Sequence, residues 1–226
     1  MRALVSFVAA LIVLSGAPAA RGAEQSADPP LLDQLVKRWA TITDYTATIV
    51  AHEVDGSQTD DRTMRFWFRK PDRAKLVMTG GGSKGSILLW TGGTKARVHA
   101  ASFPFLPLVL DINSGAIVSL RGNNMLRPDL TPTVDCFVAH KDAVREGAGP
   151  DVDGHPTQTL TLEVPAGIGC DGDPPRDRDV TKDVLTITRD TGVIVLRERY
   201  AGPTLVERWQ LKDVRINAGL TDDDFK

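Results

Sequence analysis

From residue 45 to residue 100, apolar and polar residues alternate with a period of two, and turn-forming residues interrupt the alternation at short intervals. Successive side chains of a strand point to opposite faces, so this pattern buries one face of a sheet and wets the other. Met64, Phe66 and Phe68 share one face, with Arg65 and Trp67 on the other. Ala74, Leu76 and Met78 alternate with Lys75 and Val77, and Ala96, Val98 and Ala100 with Lys95, Arg97 and His99. Asp55 and Gly56, then Lys70, Pro71 and Asp72, then Thr91, Gly92, Gly93 and Thr94 supply the turns. Residues 87–90 are apolar on both faces, as in a strand covered from both sides. The pattern predicts an antiparallel meander of about five strands.

The rest of the chain extends this plan. Leu31, Leu32, Leu35, Val36, Trp39 and Ile42 recur at helical spacing and predict a helix over 31–42, entered through Pro29 and Pro30. Residues 113–150 read as irregular and partly helical. Alternation returns over 155–164, and a hairpin follows over 184–200 with its turn at Asp190, Thr191 and Gly192. Residues 205–214 form a last strand. The total is eight or nine strands with very few helices. Such a sheet curls rather than lying flat, and helices must cover its apolar face. The fold class is mainly β with a few helices (α+β), a strongly curved antiparallel sheet. No internal repeat, low-complexity tract or interdomain linker occurs.

The N-terminus carries a targeting pattern. Arg2 is followed by an apolar run over 3–14 broken only by Ser6, then by Gly16, Pro18 and small residues. This reads as a secretory signal peptide over 1–23, leaving 24–226 as one exported domain. No Cys precedes position 136, so lipidation of the N-terminus is excluded. No later segment reaches the about 20 apolar residues of a spanning helix, and the expectation is a soluble periplasmic protein. The formal charge of the chain is −2; without Arg2 and Arg21 it is more negative still. No global basic field is available for nucleic acid. In an oxidising compartment Cys136 and Cys170, the only two cysteines, read as a structural disulfide. A CxxC redox motif is absent, and two cysteines this far apart fall short of a zinc site.

Several stretches occur in an order that resembles a known family. They are the Trp39-bearing helix, Met64 to Phe68 in sequence, and Lys70, Pro71, Asp72 and Arg73 after them. Then come Leu89, Trp90, Thr91, Gly92 and Gly93, and later Asp153, Gly154 and His155. Leu185, Thr186, Ile187 and Thr188 precede Arg189, Asp190, Thr191 and Gly192, and the chain closes on Asn217, Ala218, Gly219, Leu220 and Phe225. Over nearly the whole exported chain this resembles the periplasmic outer-membrane lipoprotein-sorting superfamily, which includes the carrier LolA and the receptor LolB. The resemblance implies an unclosed half-barrel with helices lidding a hydrophobic cavity for acyl chains. The long segment between the two cysteines, and the loop over 171–179, are not features of the carrier itself.

On this reading Met64, Phe66, Phe68, Leu76, Met78, Leu89 and Val98 are the candidate cavity wall; the bland reading is a filled core. Phe103, Phe105, Leu106 and Leu108, in a segment broken by Pro104 and Pro107, are the candidate lid. Its prolines exclude a central strand, leaving a short helix or an apolar flap, and either is expected to be buried. His52, His99, His140 and His155 are scattered and form neither HxxxH nor HExxH, and GxSxG is absent. The glycine-rich run over 80–86 lacks the order of a phosphate loop and reads as a hairpin. Asp171, Asp173, Asp177 and Asp179 lack calcium-loop spacing and read as a solvated loop. Arg65, Arg97, Arg197 and Arg208 read as surface charges of strands. No metal, cofactor or catalytic residue is expected. The functional expectation is a carrier of lipid or lipoprotein acyl chains, working with donor and acceptor proteins at membranes. A lipid-sensing regulator built on the same cup and an enzyme acting on lipid or glycan are the alternatives.

Overall fold

The computed structural model describes residues 30–103, 105–163, 165, 170 and 175–226; the expected signal peptide lies outside them. Eleven strands form one antiparallel sheet: β1 (Asp44–Asp55), β2 (Gln58–Arg69), β3 (Arg73–Gly80), β4 (Ile87–Trp90), β5 (Lys95–His99), β6 (Leu108–Asp111), β7 (Val144–Ala148), β8 (Thr157–Glu163), β9 (Lys182–Thr188), β10 (Ile194–Ala201) and β11 (Thr204–Ile216). Their order is β6-β5-β4-β3-β2-β1-β11-β10-β9-β8-β7. Every neighbour follows in sequence except β1 and β11, which join two meanders into an unclosed half-barrel. Among the described residues the sheet therefore ends on two edges, β6 and β7. The strand count exceeds expectation because the edge strands β6 and β7 are short and carry little alternation.

Turn chemistry sets the register. Gly56 takes φ +60° in the two-residue turn between β1 and β2, where a β-carbon would be strained. Gly81 takes φ +86°, and a β-carbon there would lie 2.6 Å from the Asp61 carbonyl oxygen.

Two helices lie on the inner face. Helix α1 (Leu31–Ala40) buries Leu31, Leu32, Leu35 and Trp39. Its first turn has no side-chain cap of its own; instead the Glu146 carboxylate on β7 accepts the Leu31 N–H at 2.6 Å, which also suits the positive helix end. Helix α2 (Thr131–Ala139) buries Val134, Cys136 and Phe137. The Trp39 indole N–H donates to Thr131 Oγ1 at 2.9 Å and links the helices. Trp39, Tyr45, Phe66 and Phe68 pack ring against ring with centroids 5.7–6.1 Å apart. This aromatic cluster fills one end of the bowl.

Cys136 and Cys170 are disulfide-bonded, with Cα atoms 5.3 Å apart, and tie α2 to the connection between β8 and β9. The bridge closes a loop of 34 residues in sequence separation, and in the chain-entropy model such a loop is worth about 3–4 kcal/mol. The double variant Cys136→Ser/Cys170→Ser is expected to lose that amount in urea unfolding while retaining the far-UV spectrum of the β-sheet.

Candidate functional site

Cross-strand pairing sorts the inner face into rows. One row runs Ala47, Phe66, Leu76, Leu88, Val98 and Leu108 from β1 to β6. The next runs Leu211, Ile49, Met64 and Met78. Beyond it stand Leu185, Arg197, Trp209, Ala51 and Arg62. The last row holds Asp183, Arg199, Glu207, Glu53 and Asp60. The face thus passes from aromatic through aliphatic to charged along the strands.

A cavity of about 470 Å³ opens over the aliphatic zone. Its floor is Met64, Leu76, Met78, Leu88 and Val98, and Asp60, Arg62 and Trp209 stand at the charged end. Its roof is the segment after β6, with Ala116, Ile117, Val118, Asn123, Asn124, Met125 and Pro128. Gly82, Ser83, Ser86, Ala101 and Ser102 form a polar mouth. The size falls within the range of ordinary ligand pockets, about 300–1,000 Å³. The Tyr45 hydroxyl donates to the Pro128 carbonyl and pins the roof; burial pushes this phenol well above its ordinary pKa.

Met64, Leu76, Met78 and Val98 stand in the wall. Phe66 and Phe68 share their face but lie deeper, in the aromatic cluster. Leu89 is a correction. Leu88, not Leu89, pairs with both Leu76 and Val98, so Leu89 faces outward beside Lys75 and Arg97. A strand apolar on both faces gives no parity signal, which is why the sequence misplaced it.

The expected lid is also corrected. Phe103, Phe105 and Leu106 are 67%, 96% and 66% exposed, and none of them lines the cavity. The segment is a loop leading into edge strand β6, where Leu108 pairs with Val98 at the rim and stays 40% exposed. An edge tolerates Pro107 where a central strand would not. The roof is instead 116–128, which hydrophobicity did not single out.

The charged end was not foreseen. Glu53 and Glu207 are 0% and 1% exposed and face each other across β1 and β11. The Asn123 amide Nδ2 donates to both, at 3.1 and 2.6 Å. Glu53 also accepts from Arg62 Nη2 at 2.8 Å and from the Arg121 backbone N–H at 3.0 Å. Asp177, in a buried position of the 3₁₀ turn Pro175–Asp179, accepts from Arg121 Nε at 3.1 Å and from Arg199 Nη1. Arg121 reaches Asp179 as well, at 2.5 Å. Arg197 is buried and its Nε donates to both Asp183 oxygens, at 3.1 and 3.2 Å, so it is not the surface charge expected. Asp177 and Asp179 likewise belong to an ion-pair network rather than a solvated loop; Asp171 and Asp173 lie outside the described residues. Burial pushes the Asp177 carboxyl above its ordinary pKa, against the pull of Arg199 and Arg127. Phase was the available signal: Arg62 is in step with Met64, and Glu207 with Trp209. Arg65, Arg97 and Arg208 are exposed, and Arg65 stacks on Trp67 at 4.8 Å.

His52 and His155 each meet a single aspartate, Asp61 and Asp190, near the surface. Among the described residues no group of three or more His, Cys, Asp and Glu is placed to hold a metal ion, and no helix is long and apolar enough to cross a membrane.

No family model matches the chain, and no curated protein matches it. Solved structures do. An uncharacterised conserved protein from Thermus thermophilus is 9% identical with a TM-score of 0.51, covering 86% of this chain and 90% of that one. The lipoprotein LppX from Mycobacterium tuberculosis is 16% identical, covering 86% and 99%, with a TM-score of 0.47. A LolA superfamily protein from Nitrosomonas europaea is 12% identical, covering 86% and 97%, with a TM-score of 0.41. The likeness is one of fold.

Removing one partner from a buried ion pair leaves the other uncompensated, at about 3–5 kcal/mol. Asp177→Ala is expected to destabilise by that amount in urea unfolding. The exposed Asp151→Ala should stay within about 0.5 kcal/mol of the parent.

Proposed function

We propose that the protein is a soluble periplasmic carrier. It buries the acyl or other hydrophobic part of a lipid or lipoprotein in the cavity, without covalent chemistry, for transfer toward the outer membrane. The observation that carries this reading is the unfilled aliphatic zone between two filled ends of the bowl. Met64, Met78 and Met125 line this cavity, which opens to solvent at its polar mouth. Unbranched thioether chains adapt to a cargo of imprecise shape. Each buried CH₂ is worth about 0.8 kcal/mol, so a long acyl chain gains roughly 10 kcal/mol on leaving water. That gain must be large enough to hold the chain and reversible enough to release it. A roof that is a loop rather than a strand of the sheet suits release. The exposed Phe103, Phe105 and Leu106 lie on the loop that leaves the mouth residues Ala101 and Ser102, on the side where a membrane or an acceptor protein would receive cargo. The resemblance of the sequence to the lipoprotein-sorting superfamily points the same way.

Protein purified from its native periplasm and extracted for mass spectrometry should yield stoichiometric lipid. No co-purified lipid, together with no uptake of added lipid, would sink the reading. Leu88→Asp places a carboxylate on the cavity floor and should abolish uptake, read by displacement of a fluorescent fatty-acid probe, in a protein with an unchanged far-UV spectrum. Undiminished uptake by that folded variant would place the cargo elsewhere.

A further inference from the structure

The exposed apolar surface of the protein is gathered at one place. Seven large apolar residues are exposed among the described residues, and five of them are Phe103, Phe105, Leu106, Leu108 and Val109. Scattered singly such residues need no explanation, but a contiguous patch marks a contact surface. Phe105 is 96% exposed, so its ring rests on almost nothing of its own chain. The segment is nonetheless held in place. The Phe103 N–H donates to the Ala100 carbonyl at 2.9 Å, and the Ala101 N–H donates to Ser86 Oγ at 3.1 Å. That second bond ties it to the loop between β3 and β4, which carries Lys84. The two loops together frame the cavity mouth, with Gly82, Ser83 and Ser86 on one and Ala101 and Ser102 on the other.

Charge at this end of the sheet has the opposite sign to the chain as a whole. Between residues 73 and 110 the charged residues are Arg73, Lys75, Lys84, Lys95 and Arg97, with no Asp or Glu, in a chain of net charge −2. Lys84, Lys95 and Arg97 are exposed, and Arg97 stands directly opposite Val109 on the outer face. Asp60 and Asp61, beside the loop that carries Lys84, are already engaged, by Arg62 at 3.0 Å and by His52 at 2.7 Å.

We infer that residues 101–109, with Lys84 and Arg97 beside them, dock the cavity mouth onto an anionic phospholipid surface. Apolar side chains that enter the headgroup boundary and cations that meet lipid phosphates are the two halves of such binding. Phe105 stands clear of its own fold, as a side chain entering a fluid phase must. The turns of the loop suit the hydrated boundary, which can satisfy their backbone groups where hydrocarbon cannot. A partner strand laid along edge β6 would pair with Leu108–Asp111 and give Phe103, Phe105, Leu106 and Lys84 no role. Docked this way, the mouth faces the surface that gives or takes an acyl chain, and the chain need not cross open water.

This inference deepens the carrier reading and rests on it, but vesicle binding is measured without cargo. The full exported chain is floated with vesicles of phosphatidylcholine alone, or with about one-third phosphatidylglycerol. It should bind the anionic vesicles about tenfold better than the neutral ones. Raising salt to about 1 M, where the Debye length falls to about 3 Å, should remove most of that difference. Phe105→Asp should abolish binding to both vesicles and leave displacement of the fluorescent fatty-acid probe unchanged, which also shows that the variant folds. The pair Lys84→Glu/Arg97→Glu should weaken binding to anionic vesicles about tenfold and leave neutral vesicles unaffected. A parent protein that takes up the probe but floats with neither vesicle would overturn the inference and leave the carrier reading standing. Undiminished vesicle binding by Phe105→Asp would do the same. A dimer of the parent that Phe105→Asp disperses, without vesicle binding, would assign the patch to a second copy of the chain instead. Vesicle binding without any probe uptake would keep the docking surface and defeat the carrier reading.

Discussion

The pairing of β1 with β11 is the join on which the architecture depends. It runs from Tyr45 opposite Ile216 to Glu53 opposite Glu207, between segments at opposite ends of the described chain. Without it the two meanders are separate sheets, and the rows that cross the inner face stop short. Register here is unforgiving: a slip of one residue would turn every inner side chain of β11 to the solvent face. It also sets two carboxylates directly opposite, which alone is destabilising. Asn123, Arg62 and the Arg121 backbone N–H answer that charge. The roof segment thus helps to hold the join.

The inner face divides into three zones along the strands, and the division explains why the middle stays open. At one end, packed rings and two helices fill the bowl. At the other, Arg121, Arg199, Asp177 and Glu53 form a plug whose geometry is dictated by ion pairing. Buried charges contribute little net stability but strongly penalise other arrangements. Neither end can slide inward to fill the gap. The aliphatic zone is left with a loop above it and adaptable methionines around it.

Much of this was legible in the sequence where a pattern has one meaning. The alternation of Met64, Phe66 and Phe68 gives a strand and a buried face, and the helical spacing of Leu31, Leu35 and Trp39 gives α1. Two cysteines in a chain expected to be exported predict a disulfide. Legibility failed where a pattern has two meanings. Leu88 and Leu89 are equally apolar, so which one meets the cavity depends on the register with Leu76. Residues 103–110 are apolar enough to be core, yet they flank an edge. Arg62, Arg197 and Glu207 look like surface charges because hydrophobicity cannot report burial that is compensated by an ion pair.

The sequence by itself determined the local choices: which segments extend, where they turn, and which side of each strand is dry, because side-chain periodicity and turn chemistry act over a few residues. Only the tertiary structure decided what the dry side meets. Whether an inner residue faces a helix, an ion partner or open space depends on strands and loops brought over it from elsewhere in the chain. That is why Phe66 packs against rings, Glu53 against Arg62 and Asn123, and Met64 against a cavity, although all three continue rows of a single sheet.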